Sequence, residues 1–155
     1  MEDALVCALA FATEKHKGQK RKGGEEYITH PVAVSELVKE WGYGTDYQLV
    51  ALFHDLLEDT DATETEIEAI GGPAVLQAVK LLTKEKGYDM VTYIAGIKEN
   101  PMAKVVKTAD RLHNVRSAVV TDVDFRCKYI KDTEEWYLDF SDEIREALEE
   151  LKKTV

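Results

Sequence analysis

The stretch Phe53-His54-Asp55-Leu56-Leu57-Glu58-Asp59-Thr60 sets a histidine and three carboxylates into an apolar helical pattern. A folded domain seldom buries so many ionisable groups unless they are paired or hold a metal. Leu49, Leu52, Phe53 and Leu56 recur at the i, i+3, i+4, i+7 spacing of an amphipathic helix, which predicts one continuous helix near 46–58. On that helix His54 lies over Glu58 and Asp55 over Asp59, on the side away from the apolar stripe. The segment is therefore expected in the middle of the domain, with its polar edge lining a cavity.

The same period continues outward in both directions, in Leu5/Ala8/Leu9/Ala12, Val34/Leu37/Val38/Trp41 and Tyr137/Phe140/Ile144/Leu148. No sustained strand alternation competes with it. Pro31 and Pro101 suit first helical positions, Thr45-x-x-Gln48 and Thr63-x-x-Glu66 read as capping boxes, and Gly42, Gly44, Gly71 and Gly72 as stops. These signals predict helices near 3–16, 31–41, 46–58, 63–70, 73–83, 89–98, 101–120 and 132–152. The fold class is all-α, a helical bundle forming a single domain over 1–155.

With 155 residues, 45% of them hydrophobic, the chain can bury one sizeable core. Its start lacks the features of a signal peptide and no stretch approaches the roughly 18 apolar residues of a membrane span, so a cytoplasmic protein with no membrane partner is expected. A net charge of −10 argues against a nucleic-acid partner, which would be held by basic patches. Cys7 and Cys127 are isolated, outside any C-x-x-C pattern, and are expected to be core thiols. Oligomeric state has no signature here. One local exception to the acidic balance stands out: Lys15, Lys17, Lys20, Arg21 and Lys22 crowd together beside Gly18, Gly23 and Gly24. Such a run is often only a solvated face. Its place just before His30 favours a funnel for a small phosphorylated ligand.

Two further clusters accompany the opening stretch, Tyr27-Ile28-Thr29-His30-Pro31 and Thr108-Ala109-Asp110-Arg111-Leu112-His113-Asn114. On the helix near 101–120, Asp110, Asn114 and Ser117 form a polar stripe at i, i+4, i+7 beside the apolar Met102, Val105, Val106, Ala109 and Leu112. Two helices with facing polar stripes, joined by His30 at a helix start, give the ligand set His30, His54, Asp55 and Asp110. Imidazole with carboxylate suits Mn²⁺, Fe²⁺ or Zn²⁺ and suits Ca²⁺ poorly. Four protein ligands leave room for water and substrate, the arrangement of metal-assisted hydrolysis. Glu58 and Asp59, one turn on, are placed to accept a proton from the attacking water or to orient it. His16 and His113 fall off the projected stripes, and structural roles are expected for both.

The order His30, His54-Asp55, Asp110 resembles the HD superfamily of metal-dependent phosphohydrolases. The HD-x-x-ED form with A-D-R-L-H-N resembles the hydrolase domain of the RelA/SpoT homologues, and residues 16–31 look like that family's nucleotide-binding loop. The likeness runs from about residue 4 to 120. It implies an HD-type bundle with one Mn²⁺, with Fe²⁺ or Zn²⁺ as alternatives. The reaction it implies is removal of pyrophosphate from the 3′ position of the alarmone (p)ppGpp, a small phosphorylated nucleotide. By the resemblance, His30, His54, Asp55 and Asp110 match metal ligands, and Glu58 and Asp59 match the pair acting on water. Arg21, Lys22 and Asn114 match nucleotide contacts, and Ser117 stands where threonine is usual. The synthetase domain of the long bifunctional members is not expected in a chain of this length, so the likeness is to small stand-alone hydrolases.

Three departures from the pattern touch the expected pocket walls: a compact connector from Thr83 to Pro101, Gly23 in place of a common serine, and Tyr137-Leu138-Asp139-Phe140 where a proline-containing segment is typical. Two rival readings accompany the alarmone hydrolase. One is an HD phosphohydrolase for another phosphorylated nucleotide. The other is a metal- or nucleotide-binding regulatory module without turnover, against which the acidic pair Glu58 and Asp59 speaks.

Overall fold

Leu49, Val50, Ala51, Leu52 and Phe53 are all buried, so the helix that carries the opening stretch is covered on every side. The computed structural model describes residues 3–155, and among them it contains helices and no strand. In chain order these are α1 (Asp3–Lys15), α2 (Thr29–Glu40), α3 (Thr45–Phe53), α4 (Leu56–Asp59), α5 (Glu64–Gly71), α6 (Pro73–Leu82), α7 (Met90–Glu99), α8 (Pro101–Ser117), α9 (Val123–Trp136) and α10 (Asp142–Lys152). A short 3₁₀ turn, Ala118–Val120, follows α8.

Helix α8 organises the bundle, touching α2, α3, α6, α7, α9 and α10. Its apolar face of Ala103, Val106, Ala109 and Leu112 is fully buried against the shared core. Burial of a side chain such as Leu112 contributes about 1.5–3 kcal/mol. A second, smaller apolar cluster joins Val115 and Ala118 to Ile130 of α9 and Leu148 and Leu151 of α10.

The helix expected over 46–58 is two helices, broken at His54 and Asp55. The cause is local. Ala51 O, which an unbroken helix would assign to the amide of Asp55, accepts instead from the His54 ring at Nδ1, 2.6 Å away. The segment expected as one helix over 132–152 is likewise divided, and α9 begins earlier than anticipated. Asp122 caps α9 by accepting from Phe125 N, and Ser141 caps α10 by accepting from Ile144 N. Only Ile130 and Thr133 of α9 are buried, which explains why its periodicity was faint. Tyr137 and Phe140 are core residues as expected, although they sit in the connection rather than on a helix.

Two smaller expectations also change. Thr63 and Glu66 form the capping box, but Thr45 does not: Gly44 occupies the cap position and Gln48 donates to Tyr43 O. Cys7 and Cys127 are exposed, not buried. Helix α1 is apolar around most of its circumference, so its pattern could not tell which side Ala8 and Ala12 would bury.

Candidate metal centre and adjoining basic pocket

Three elements bring the ionisable residues to one point. Helix α2 opens with His30 in its first turn, the α3–α4 break presents His54 and Asp55, and mid-α8 supplies Asp110. One ligand atom each from His30, His54 and Asp110 lies within 4.8 Å of the others. His30 Nε2 is 2.8 Å from Asp110 Oδ1, and His54 Nε2 is 3.3 Å from the same oxygen. Asp55 Oδ2 stands 3.1 Å from His54 Nε2 and 4.0 Å from His30 Nε2. Three of the four expected ligands, His30, His54 and Asp110, thus form one cluster, and Asp55 flanks it beside the two histidines.

These residues fit a divalent cation on their own chemistry. His54 Nδ1 is committed to Ala51 O, which leaves Nε2 as the donor nitrogen. That Nε2 is buried and, despite the short distances to both carboxylates, no hydrogen bond to it is aligned. His30 Nε2, by contrast, is hydrogen-bonded to Asp110 Oδ1. Electrostatics agree. Burial opposes charge on His54, yet the Asp55 and Asp110 carboxylates outweigh it and hold the imidazole well above its usual range.

The carboxylates are held ionised. Burial would raise Asp55, but His54 overrides this and brings it to about 2. For Asp110 burial is overcome first by Lys107 and then by His54, leaving it well below the carboxylate range. Lys107 lies three residues before Asp110 on α8, its Nζ 3.1 Å from Asp110 Oδ2 and almost wholly buried. Tyr27 donates to Asp55 Oδ2 at 2.5 Å, and burial followed by the Asp55 charge keeps its phenol protonated. Neither Tyr27 nor Lys107 was singled out from the sequence. The i, i+3 spacing of Lys107 from Asp110 is the signal that identifies it.

Glu58 and Asp59 occupy the one-turn helix α4 at the rim, both reached by solvent. Glu58 Oε1 accepts from the Lys84 backbone amide at 2.8 Å, which ties α4 to the connector after α6. Partial burial, then the neighbouring Asp55 and Glu58 charges, raise Asp59 to about 6. A carboxylate so tuned is suited to take up a proton near neutrality.

Beside this centre lies a cavity of about 240 Å³ lined by Arg21, Lys22, Tyr27, Asn114, Ser117 and Phe125, among others. The basic loop folds back on itself, with a single antiparallel bridge between Lys20 and Glu26 and with Arg21 N donating to Glu25 O. Gly24, at φ +95°, makes the reversal that a side chain would strain. Gly23 is in a different situation: a Cβ there would meet Val120 Cγ2 at 3.0 Å, so the loop lies close against the 3₁₀ turn and a side chain would require Val120 to give way. Arg21 Nη2 donates to Asn114 Oδ1 at 3.0 Å, and Asn114 Nδ2 donates to Asp110 Oδ1 at 3.2 Å. Lys22 Nζ rests 4.5 Å from the centroid of the Phe125 ring. Ser117 lines the cavity while its hydroxyl donates to His113 O. His16 bonds Gln19 through Nδ1 and packs on Tyr27, a structural role as expected.

An all-α bundle that gathers two histidines and an aspartate from three separate segments has the donor set of a class of helical proteins suited to a divalent cation. Within it, the HD domain family matches residues 8–141, and the chain belongs to that family. It is 34% identical to the GTP pyrophosphokinase rsh of Brucella melitensis over 97% of this chain and 22% of that protein. It is 38% identical to the guanosine-3′,5′-bis(diphosphate) 3′-pyrophosphohydrolase of Aquifex aeolicus, over 87% of this chain and 20% of that one. With the Danio rerio guanosine-3′,5′-bis(diphosphate) 3′-pyrophosphohydrolase MESH1 it shares 36% identity, covering 72% of this chain and 67% of the relative. The chain thus spans about a fifth of the length of the first of these curated relatives and two thirds of the last. A solved structure described as a metazoan ortholog of SpoT that hydrolyzes ppGpp superposes with a TM-score of 0.81 at 25% identity, over 99% of this chain and 96% of its own.

Proposed function

We propose that the chain is a metal-dependent phosphohydrolase that removes pyrophosphate from the 3′ position of (p)ppGpp, with Mn²⁺ as its metal and Fe²⁺ or Zn²⁺ as alternatives. The observation that carries this reading is the continuity of two sites. Arg21 reaches Asp110 through Asn114, and Tyr27 lines the basic cavity while donating to Asp55, so the phosphate-attracting loop and the metal ligands share one wall. The relatives named for this substrate supply its identity.

His30, His54, Asp55 and Asp110 would hold the cation. The chemistry it supplies when bound is polarisation of a phosphoryl oxygen and acidification of nearby water. The protein's own groups supply the rest. Asp59 accepts a proton as water attacks the phosphorus bonded to O3′; the P–O3′ bond breaks, O3′ takes up a proton to become the free hydroxyl and pyrophosphate leaves, while Glu58, fixed by the Lys84 amide, keeps α4 and its carboxylate at the rim. Arg21, held by Asn114, offers a planar cation to the base or a phosphate, and Lys22 adds a mobile positive charge. Asn114 and Ser117 line the remaining wall. No helix of the described residues is long and apolar enough to cross a membrane. A cytoplasmic setting is the one in which such a nucleotide is met.

The test is a panel of nucleotides with the Mn²⁺-loaded protein and product analysis. Release of pyrophosphate from the 3′ side of ppGpp, leaving GDP, is the expected result. Inorganic phosphate from simple 5′-nucleotides, with no reaction on 3′-diphosphates, would replace the alarmone reading with that of another HD phosphohydrolase. Binding without any turnover would leave a regulatory module.

A further inference from the structure

His113 lies outside the cavity lining, yet its Nδ1 stands 2.8 Å from Nδ1 of His30, with the two rings meeting edge to edge, their planes inclined at 28° and centroids 5.0 Å apart. One proton alone can lie between two ring nitrogens at that distance. If His30 gives the Nε2 lone pair to a metal, its remaining proton is on Nδ1 and must be donated to His113. A second neighbour imposes the same requirement independently. Arg21 Nη1 lies 3.4 Å from the same His113 nitrogen, and a guanidinium can only donate. Both contacts need a lone pair at His113 Nδ1.

We propose that His113 is a positioning residue of the metal centre, accepting the Nδ1–H of His30 and so fixing that ring as an Nε2 donor. The proposal rests on the reading of His30 as a metal ligand. It completes a symmetry: His54 has its Nδ1–H anchored on a backbone carbonyl, Ala51 O, whereas His30 depends on a side chain. Ligating histidines almost always have such a partner, and its loss typically weakens metal affinity by about 10–100-fold.

Metal affinity, measured with Mn²⁺ and Zn²⁺ by competition against a chromophoric chelator, separates this role from simple packing. His113→Phe keeps an aromatic ring and removes the acceptor, so its affinity should fall by about 10–100-fold. His113→Asn loses the ring but places a carbonyl oxygen near the position of Nδ1, so its affinity should stay close to that of the unaltered protein. Full affinity in His113→Phe, or equal losses in both variants, would overturn the proposal. Side-chain ¹⁵N NMR of the unaltered, Zn²⁺-loaded protein needs no variant to fold: His113 Nδ1 should be unprotonated and His30 Nδ1 protonated. A proton on His113 Nδ1 would refute the role. Failure of the unaltered protein to bind either metal would instead refute the metal reading on which the proposal stands.

Discussion

Neutralising Asp110 without changing its shape tests how the centre is held together in the absence of metal. Asp110→Asn removes the charge that compensates Lys107, whose Nζ is 3.1 Å away and 10% exposed as a side chain. It leaves the amide among His30, His54 and Asn114 at 2.8, 3.3 and 3.2 Å. The folded protein strongly favours the ionised form of Asp110, held well below the carboxylate range by Lys107 and His54 against burial. The sign follows: a depressed carboxyl stabilises the fold above its unfolded pKa, and this is lost only as pH falls through the lower folded value. Substitution by Asn imposes that loss at neutral pH. Stranding one partner of a buried pair costs about 3–5 kcal/mol, which for a chain of this size is roughly 6–20 °C in Tm. Urea and thermal unfolding with chelator in excess, so that no metal contributes, would measure it. Lys107→Met removes the stranded cation, so the double variant should be less destabilised than the sum of the two singles by about 1–3 kcal/mol. Asp110→Asn within about 1 kcal/mol of the unaltered protein, or simple additivity, would refute the reasoning.

Other expectations follow from the same geometry. Elemental analysis should find close to one transition metal per chain, lost in His54→Ala; full occupancy in that variant would remove His54 from the ligand set. Asp59→Asn should keep the metal while turnover falls about 10²–10⁴-fold. Because Asp59 is raised to about 6 and must be ionised to accept a proton, turnover should decline as pH falls through or below that value, a dication nearby shifting the limb lower, and rates in the variant should not show this limb. Arg21→Ala should raise KM by the equivalent of about 1–3 kcal/mol with metal content unchanged, and an unaltered KM would exclude Arg21 from the substrate site. Arg111, buried between the Tyr129 and Tyr137 rings at 4.3 and 4.0 Å and paired with Asp132, should resist replacement by lysine. Arg111→Lys loses the planar stack and should cost about 1–2 kcal/mol in unfolding measurements; an unchanged midpoint would show that charge alone suffices there.

Periodicity was enough for the helices whose buried face repeats every three or four residues. The stripe of α8, with Val106, Ala109 and Leu112 apolar and Asp110, Asn114 and Ser117 along one edge, could be read because residue type alternates with the helical period, although residues 106–112 are all buried. The candidate ligand residues could be picked out for a related reason. Histidine and aspartate within apolar helices are costly unless they meet a cation or one another, so their presence marks a site before any contact is known. Helix α9 was not legible, since only two of its residues face the core, nor was the outward placement of Cys7 on a helix apolar on most sides.

What the chain by itself determined is therefore the all-α class and the donor types offered at the candidate centre by His30, His54, Asp55 and Asp110, because both are written in residue type and spacing. The tertiary structure alone decided which groups support them. The break after Phe53 follows from a ring nitrogen taking Ala51 O, Gly23 answers to Val120 nearly a hundred positions away, and His113 gains its role only when α2 lies against α8. Such pairings depend on distances of about 3 Å between segments remote in sequence. Local patterning carries no record of those distances, since any of these side chains would fit its own helix equally well without its partner.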